Sequence, residues 1–171
     1  MRLAVFDIET TALEGSYGRM LCACLKFLDE KTIRVVEART ANNERKALQQ
    51  LEKHLSDAHV IITWNGRQFD WRFMNQRRMV HNLKPLPKMM HIDWLHVQKH
   101  HCRSRGHRQM FVAQDLGCKV NKFEPGAAAW VAAETGNAKA FNDIVRHCRQ
   151  DVLQLEELHW KLIGLLVRVH H

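Results

Sequence analysis

A chain of 171 residues is long enough for one domain with its own core, so we expect a single domain over residues 1–171. Apolar residues make up 46% and charged residues 26%, values of a globular protein that argue against a disordered tail or a fibre. Apolar runs stay far below the ~20 residues of a membrane span, and the first residues lead into a strand pattern instead of a secretory signal. Cysteines without a CxxC pair indicate reduced thiols, and we expect a cytoplasmic protein with no membrane contact.

The formal net charge of +8 is concentrated in about one third of the sequence. Residues 59–110 hold ten Lys or Arg and two acids, so this stretch accounts for the whole excess. A solvated surface ordinarily mixes both signs, whereas a one-sided excess favours a face that binds a polyanion. We therefore expect nucleic acid as the partner.

The first third of the chain is predicted to form three strands and a helix. Residues 3–8 alternate little and indicate a buried central strand. Residues 20–28 and 32–38 are two further strand-like runs, and the short polar turn between them makes the three strands a meander. Asn42 and Asn43 offer a helix N-cap, after which leucines recur at helical spacing.

The remainder combines a short strand with helices. Residues 60–64 are an apolar strand, which after a crossover helix is most simply parallel to an earlier strand. The predicted helices are 69–79, 92–97, 109–116 and a long amphipathic helix at 138–169. Residues 81–90 contain two prolines and are predicted to be a loop, and Asp93 is interpreted as a helix N-cap. This order of elements predicts an α/β or α+β fold with a mixed sheet.

Two acids stand at the end of the first predicted strand. Asp7 and Glu9 are separated by one residue, and the period of a strand puts both side chains on one face, within reach of one cation. Neighbouring carboxylates repel each other unless they share a cation, and hard oxygen ligands suit Mg²⁺ or Mn²⁺. For this motif alone, an exposed pair at a strand end is the simpler alternative.

Two further motifs supply acids later in the chain. Gly66 permits a sharp turn from strand to helix, which places Asp70 in the first turn of the next helix, where a plain helix-start acid is the simpler interpretation. His147 and Asp151 are four residues apart and share a face of the long helix beside its apolar stripe. An aspartate near a buried stripe needs a partner or a metal ion, whereas an isolated histidine is more often a packing residue.

Together, these motifs resemble the DEDD superfamily of 3′–5′ exonucleases, which includes the proofreading domains of polymerases. The three motifs are Phe6-Asp7-Ile8-Glu9-Thr10-Thr11, Asn65-Gly66-Arg67-Gln68-Phe69-Asp70 and His147-Cys148-Arg149-Gln150-Asp151-Val152. The run His91-Ile92-Asp93-Trp94 is also similar to the phage and bacterial branch related to family B polymerase exonuclease domains. The resemblance implies a ribonuclease H-like fold, with a central mixed sheet, helices on both sides and a long C-terminal helix.

The same resemblance implies hydrolysis of phosphodiester bonds in nucleic acid, with DNA favoured over RNA. It implies two divalent cations, Mg²⁺ or Mn²⁺, that clamp the attacking water and the leaving 3′ oxygen. Asp7, Glu9 and Asp151 are expected to hold one ion, and Asp7 with Asp70 the second.

His147 stands four residues before Asp151, at the position that holds tyrosine in one branch of the family. Arg146 fills the position that holds histidine in the other branch. We expect the imidazole of His147 to take or orient the proton of the attacking water, because imidazole suits a general base near neutral pH.

The resemblance also implies how a single-stranded 3′ end is bound. Thr10 would contact the terminal nucleotide through backbone groups, Leu13 would be an apolar wedge, and Asn65 and Phe69 match positions that contact the last nucleotides. The basic loop at residues 99–108 is expected to track phosphates, because it lacks the paired-ligand spacing of a zinc site. Its candidate phosphate contacts are Arg103, Arg105 and Arg108.

Two other functions stay open at this point. A non-catalytic nucleic-acid-binding module of the same fold would also be basic, but such a module would usually have lost some of the four acids. An unrelated metal hydrolase would need an HxH or HExxH pair, which the sequence lacks. The sequence leaves the oligomeric state open.

Overall fold

The structure is a computed structural model that describes residues 1–119 and 123–166. The strands are β1 (Leu3–Thr10), β2 (Met20–Phe27), β3 (Ile33–Glu37), β4 (Val60–Thr63) and β5 (Met90–Asp93). The helices are α1 (Ala41–Leu55), α2 (Asp70–Val80), α3 (Trp94–His101), α4 (Gln109–Asp115), α5 (Ala127–Glu134) and α6 (Ala138–Leu162), with a 3-10 turn at Ile163–Leu165. Within the described residues, none of these helices combines the length and the apolar character that crossing a membrane requires.

The strands form one mixed sheet in the order β3-β2-β1-β4-β5. β1, β2 and β3 are antiparallel neighbours, which confirms the predicted meander. β4 is parallel to β1, as predicted for a strand that follows a crossover helix, and β5 is parallel to β4. β1 therefore lies at the centre of the sheet, where its apolar sequence is buried.

Two hydrophobic cores cover the two faces of the sheet, and β1 contributes to both. Phe6 and Ile8 belong to the core formed with α1 and α2, whereas Val5 belongs to the core formed with α6. Successive side chains of a strand alternate between faces. Asp7 and Glu9 therefore continue the row of Val5 on the side of α6, and the alternation of one strand assigns both acids to the same side of the sheet.

The prediction was wrong around β5. Residues 81–90 were expected to be a loop and 92–97 a helix, but Met90–Asp93 is a strand and the helix begins at Trp94. β5 has only four residues and is defined by its parallel pairing with β4, with Ile92 beside Ile62. A run of four residues is too short to show the alternation of polar and apolar side chains that marks a strand. The local sequence therefore does not reveal β5, which depends on pairing with a distant segment.

The helices differ from the prediction at three places. α5 was not predicted; it is rich in alanine, and of its residues only Ala133 is buried, so no apolar stripe marks it. α1 begins after Thr40 instead of Asn42 or Asn43, because its first turn carries Glu44 inward to accept a hydrogen bond from the backbone N–H of Met20 at 2.8 Å. α6 ends at Leu162 instead of residue 169, and residues 167–169 lie outside the described residues.

A buried histidine near the end of α6 makes stability depend on pH. The Trp94 indole N–H donates to Nδ1 of His159 at 3.1 Å, and burial lowers the pKa of His159 to about 4 from an ordinary 6.5. Between these two pKa values, the unfolded chain binds a proton that the folded chain does not. The free energy of unfolding is therefore unaffected by His159 above pH 6.5 and decreases as the pH falls towards 4. We expect this loss to reach as much as about 3 kcal/mol.

Chemical denaturation at a series of pH values checks this expectation. The variant His159→Gln keeps an acceptor for Trp94 but has no titrating ring, so its stability is expected to fall less steeply between pH 6.5 and 4 than that of the wild type. Equal slopes for the two proteins would contradict the assignment of this pH dependence to His159.

Candidate active site

The site begins where β1 extends past β4. β1 pairs with β4 only as far as Val5, opposite Ile62, so the half of β1 that carries the two acids has no partner from β4. The backbone N–H of Ile8 donates instead to Oδ1 of Asp70 at 3.2 Å. Asp70 is only 4% exposed, and it fastens the start of α2 to the end of β1.

Four of the five predicted catalytic residues lie together at this end of β1. Nε2 of His147 is 3.7 Å from Oε1 of Glu9 and 3.4 Å from Oδ2 of Asp151. Ligand atoms of these three residues all lie within 4.8 Å of one another, and the same holds for Asp7, Glu9 and Cys148. Asp70 belongs to neither group, and its place as a ligand of a second ion stays a prediction.

The orientation of His147 is set by a backbone carbonyl. Its Nδ1 is 2.7 Å from the carbonyl oxygen of Phe123, and because a carbonyl only accepts, Nδ1 carries a hydrogen. In the neutral ring, Nε2 therefore presents a lone pair towards the carboxylates of Glu9 and Asp151. Such a cluster is favourable only when a proton or a cation lies among these groups.

The electrostatics of the acids point the same way. Burial, followed by the neighbouring charge of Asp7, raises the pKa of Glu9 well above its usual value. Burial raises the pKa of Asp70 to about 7, although the N–H of Ile8 opposes the shift. Ionised carboxylates are thus costly here without a positive partner, and their oxygen atoms are ligands that fit a hard divalent cation such as Mg²⁺ or Mn²⁺.

A cleft of about 440 Å³ opens over these residues. Its lining includes the predicted residues Asp7, Asn65, Arg108, His147 and Asp151, and also Trp64, Leu95, His107, Gln109, Met110 and Glu124. Sequence reasoning did not assign this second set to the site. Gln109 is buried and donates from Nε2 to the backbone carbonyl of Asp151 at 2.9 Å, so it holds α4 against α6. No sequence pattern indicates that a glutamine makes such a contact. His107, by contrast, lies within the basic loop at residues 99–108, which the sequence had already indicated as a binding segment.

The turn between β4 and α2 brings Asn65 to the cleft. Asn65 has a φ of 69°, in the left-handed region that asparagine tolerates better than most residues. Gly66 follows, and a Cβ there would lie 2.5 Å from Cβ of Thr63, so only glycine fits. This confirms the sharp strand-to-helix turn that was predicted at Gly66.

Asp93 holds this turn from the end of β5. Its carboxylate accepts from the backbone N–H of Asn65 at 2.8 Å and of Arg67 at 3.1 Å. It also accepts from the N–H of Leu95 at 3.2 Å, which confirms its predicted role as the N-cap of α3. One buried carboxylate therefore positions Asn65 relative to the cleft, and this link between segments was visible only in the structure.

Two of the residues expected to meet a 3′ end, Leu13 and Phe69, line a depression other than the cleft. Leu13 is 82% exposed and lines a depression of about 330 Å³ together with Phe69. Thr10, at the end of β1, donates from its hydroxyl to the backbone carbonyl of Ala12 at 2.7 Å. Their contacts with nucleic acid stay predictions.

The basic stretch is divided by folding. Arg77 and Arg78 are buried in ion pairs with Glu44 at 2.6 Å and Glu52 at 2.8 Å, so they hold α2 to α1 instead of facing a ligand. The two acids of residues 59–110 are buried as well. The solvent-accessible charge of this stretch is therefore positive, but it comes from fewer Lys and Arg side chains than the ten in the sequence.

The three arginines of the basic loop have different surroundings. Arg108 lines the cleft, and Arg103 is exposed. Arg105 lies 3.0 Å from the carboxylate of Asp115 and over the ring of Phe111, at 5.3 Å from its centre. Of the three, Arg108 is best placed to meet a phosphate in the cleft.

The basic loop is anchored at its end. The Trp64 indole N–H donates to the carbonyl of His107 at 3.0 Å, and Nδ1 of His107 is 2.8 Å from Oε1 of Gln98. Gln98 in turn donates to the Ser104 hydroxyl at 2.7 Å, and Ser104 donates to the carbonyl of Gly106 at 2.8 Å. These bonds keep the loop beside the cleft.

The chain is similar to proteins longer than itself. The curated protein "Uncharacterized protein YprB" of Bacillus subtilis (strain 168) is 26% identical over 171 aligned residues, which take in 92% of this chain and 41% of that protein. A solved structure of the family B DNA polymerase from the hyperthermophilic archaeon Pyrobaculum calidifontis superimposes with a TM-score of 0.79 at 17% identity. That match covers 95% of this chain and 24% of the polymerase, so the chain spans less than half the length of either protein.

The superposition confirms the ribonuclease H-like fold, with its mixed sheet, helices on both faces and long C-terminal helix. The sequence agrees with this fold over nearly its whole length. A model of the RNase H superfamily matches residues 4–163, and that range includes Asp7, Glu9, His147 and Asp151, which we call the acidic cluster. The chain therefore belongs to the RNase H superfamily.

Proposed function

We propose that this chain is a metal-dependent 3′–5′ exonuclease of the DEDD type, acting on single-stranded 3′ ends and preferring DNA to RNA. The observation that carries the proposal is that Asp7, from the same strand, and His147 and Asp151, from the other end of the chain, gather around Glu9 at the end of β1. Membership of the RNase H superfamily and the likeness to a DNA polymerase support a nuclease over other metal hydrolases.

In this proposal, Asp7, Glu9 and Asp151 hold one divalent ion, and Asp7 with Asp70 holds the second. When bound, Mg²⁺ or Mn²⁺ would supply an activated water and would stabilise charge on the leaving 3′ oxygen. The raised pKa values of Glu9 and Asp70 indicate that ionising the site without a cation is unfavourable, which supports cation binding there.

The remaining residues position the reactants. His147 donates from Nδ1 to the carbonyl of Phe123, which leaves Nε2 to accept a proton from the attacking water. Asn65 and Arg108 line the cleft and would contact the strand beside the scissile phosphate. Leu13 and Phe69 line a separate depression, where an apolar wedge and a ring would meet the terminal bases without regard to sequence.

A strand labelled at both ends tests the proposal. With Mg²⁺ or Mn²⁺, we expect release of mononucleotides from the 3′ end and a ladder of products that shortens from that end, and no release in EDTA. DNA and RNA strands of the same sequence, compared in parallel, test the preference for DNA.

The same experiment examines the second candidate function, a binding module without catalysis. A protein that binds the strand but releases no nucleotide with either ion would contradict the exonuclease proposal and favour the binding module. Internal cleavage without mononucleotides would place the activity elsewhere in the superfamily.

A further inference from the structure

A groove leads from the cleft to the edge strand β5. Asn65 and Leu95 line both the cleft and a second depression of about 320 Å³. Arg67 lines that depression and also a third one, of about 560 Å³, beside the start of β5. Because neighbouring depressions share these residues, they adjoin one another in a row that starts at the cleft. We call the second and third depressions together the β5 groove. Its characteristic side chains are His96, Lys99, Arg67, Trp71 and Lys88.

The accessible charge of the β5 groove is positive. Lys88 and Lys99 are exposed and lie in different depressions, with Arg67 between them. The acid that lines this path, Asp93, is 2% exposed, and its carboxylate already accepts hydrogen bonds from the backbone. Cations spaced along a groove favour a polyanionic chain over a single small anion.

An aromatic ring stands at the far end of the path. Trp71 is half-buried and lines the third depression, and its ring meets that of His91 edge to face at 5.9 Å. Grooves that bind single-stranded nucleic acid combine cations, which follow the phosphates, with aromatic rings, on which unpaired bases stack. A base in a duplex is already stacked and paired, so this combination favours a single strand.

We infer that the β5 groove binds the part of a single strand that lies on the 5′ side of the scissile phosphate. Lys99, Arg67 and Lys88 contact successive phosphates, and Trp71 stacks on a base at the end of the path. This inference rests on the proposed function, because it takes the cleft to hold the 3′ end. It adds a binding site several nucleotides long, so affinity grows with strand length.

The test compares a trinucleotide with a single strand of about 12 nucleotides, a length within the range that such grooves bind. Both carry a 5′ fluorophore, and binding is measured by fluorescence anisotropy in EDTA, so that hydrolysis does not consume the probe. For the wild type, we expect tighter binding of the longer strand. Equal affinity for the two lengths would overturn the inference that the β5 groove binds the strand.

Lys88→Ala is the main variant, and Lys84→Ala is its matched control. Both lysines are exposed in the segment before β5, but Lys84 lies outside the three depressions. Lys88→Ala is expected to weaken binding of the longer strand severalfold and to flatten the slope of log affinity against log salt by about 0.7, the effect of one lost phosphate contact on a single strand. Identical results for the two variants would overturn the inference.

Trp71→Ala is expected to weaken binding of the longer strand by about tenfold or more, because stacking on one base is lost. Since Trp71 also packs against the core beneath α2, Trp71→Phe serves as a second variant that keeps an aromatic ring. Retained affinity in Trp71→Phe together with loss in Trp71→Ala supports stacking, and full affinity in a folded Trp71→Ala contradicts it.

The outcomes separate the groove from the proposed function. A wild type that binds neither strand and releases no nucleotide fails as an exonuclease. A wild type that shortens strands from the 3′ end, but for which Lys88→Ala and Trp71→Ala match the wild type, remains an exonuclease without this groove.

Discussion

Asp7→Asn is expected to lower the rate of nucleotide release by about a thousandfold or more, since several kcal/mol of charge stabilisation disappear with one shared ligand. The substitution keeps the shape of the side chain and removes its charge. Asp7 is the acid proposed to contact both ions, so its loss is expected to exceed that of any other single residue. The measurement is the single-turnover rate at saturating Mg²⁺ or Mn²⁺.

The same variant separates a lost ligand from a damaged fold. Without metal, Asp7→Asn is expected to be as stable as the wild type or more stable. The charge of Asp7 repels that of Glu9 and helps to raise the pKa of Glu9, and the substitution removes this repulsion. The rise in melting temperature on adding Mn²⁺, expected for the wild type, should shrink strongly.

Asp57→Asn is the matched control for this substitution. Asp57 pairs with Arg34 on the surface at 2.9 Å, and a surface ion pair contributes only about 0–1 kcal/mol, so we expect wild-type activity and an unchanged response to metal. Turnover near the wild-type level in Asp7→Asn would show that the acidic cluster has been misassigned.

His147→Ala is expected to lose about 10²- to 10⁴-fold in rate, the usual contribution of a positioned general base. The reason is the geometry of the ring, whose Nδ1 is committed to the carbonyl of Phe123 while Nε2 faces the carboxylates. The loss should fall on kcat, with little change in the metal concentration needed for half-maximal rate, because the four carboxylates remain. His147→Tyr should recover part of the loss, since tyrosine can still orient a water.

The alternative is that His147 only packs in its helix, where its ring meets that of Trp130 edge to face at 5.9 Å. In that case His147→Ala would lower the melting temperature, and the rate of the folded fraction would stay near that of the wild type. Added imidazole distinguishes the two, because a diffusible base can restore turnover to an enzyme that lacks one but does not repair packing.

Arg146→Ala is the matched control for His147→Ala. Arg146 is the preceding residue of α6, is exposed and stacks over the ring of Phe123 at 4.9 Å. We expect its rate to stay close to that of the wild type, because an arginine side chain does not serve as a base near neutral pH. Equal losses in the two variants would indicate that the helix, and not the imidazole, had been disturbed.

Much of the candidate site was predictable because its geometry is set within single elements. The alternation of β1 puts Asp7 and Glu9 on one face, and the period of α6 puts His147 and Asp151 on one face. The turn at Gly66 is equally local, since only a glycine fits against Thr63. Periodicity and steric exclusion act over a few residues, so the sequence carries them directly.

What the sequence left undetermined depends on contacts between distant segments. β5 exists because four residues pair with β4, and Arg77 is removed from the basic surface because Glu44, 33 residues earlier, is buried beside it. Gln109 joins the site by donating to the backbone carbonyl of Asp151, and Phe123 joins it through its own carbonyl, which accepts from the ring of His147. Neither residue has chemistry that marks it in advance.

By itself, then, the sequence determined the acids, their order and the faces that they occupy, since strand and helix periods are properties of the local chain. Only the tertiary structure decided that Glu9, His147 and Asp151 meet within 4.8 Å, that Asp93 holds the turn of Asn65, and which cations remain at the surface. The physical reason is that burial and distance are properties of packed segments: a charge becomes a ligand or half of a buried ion pair according to what folds against it.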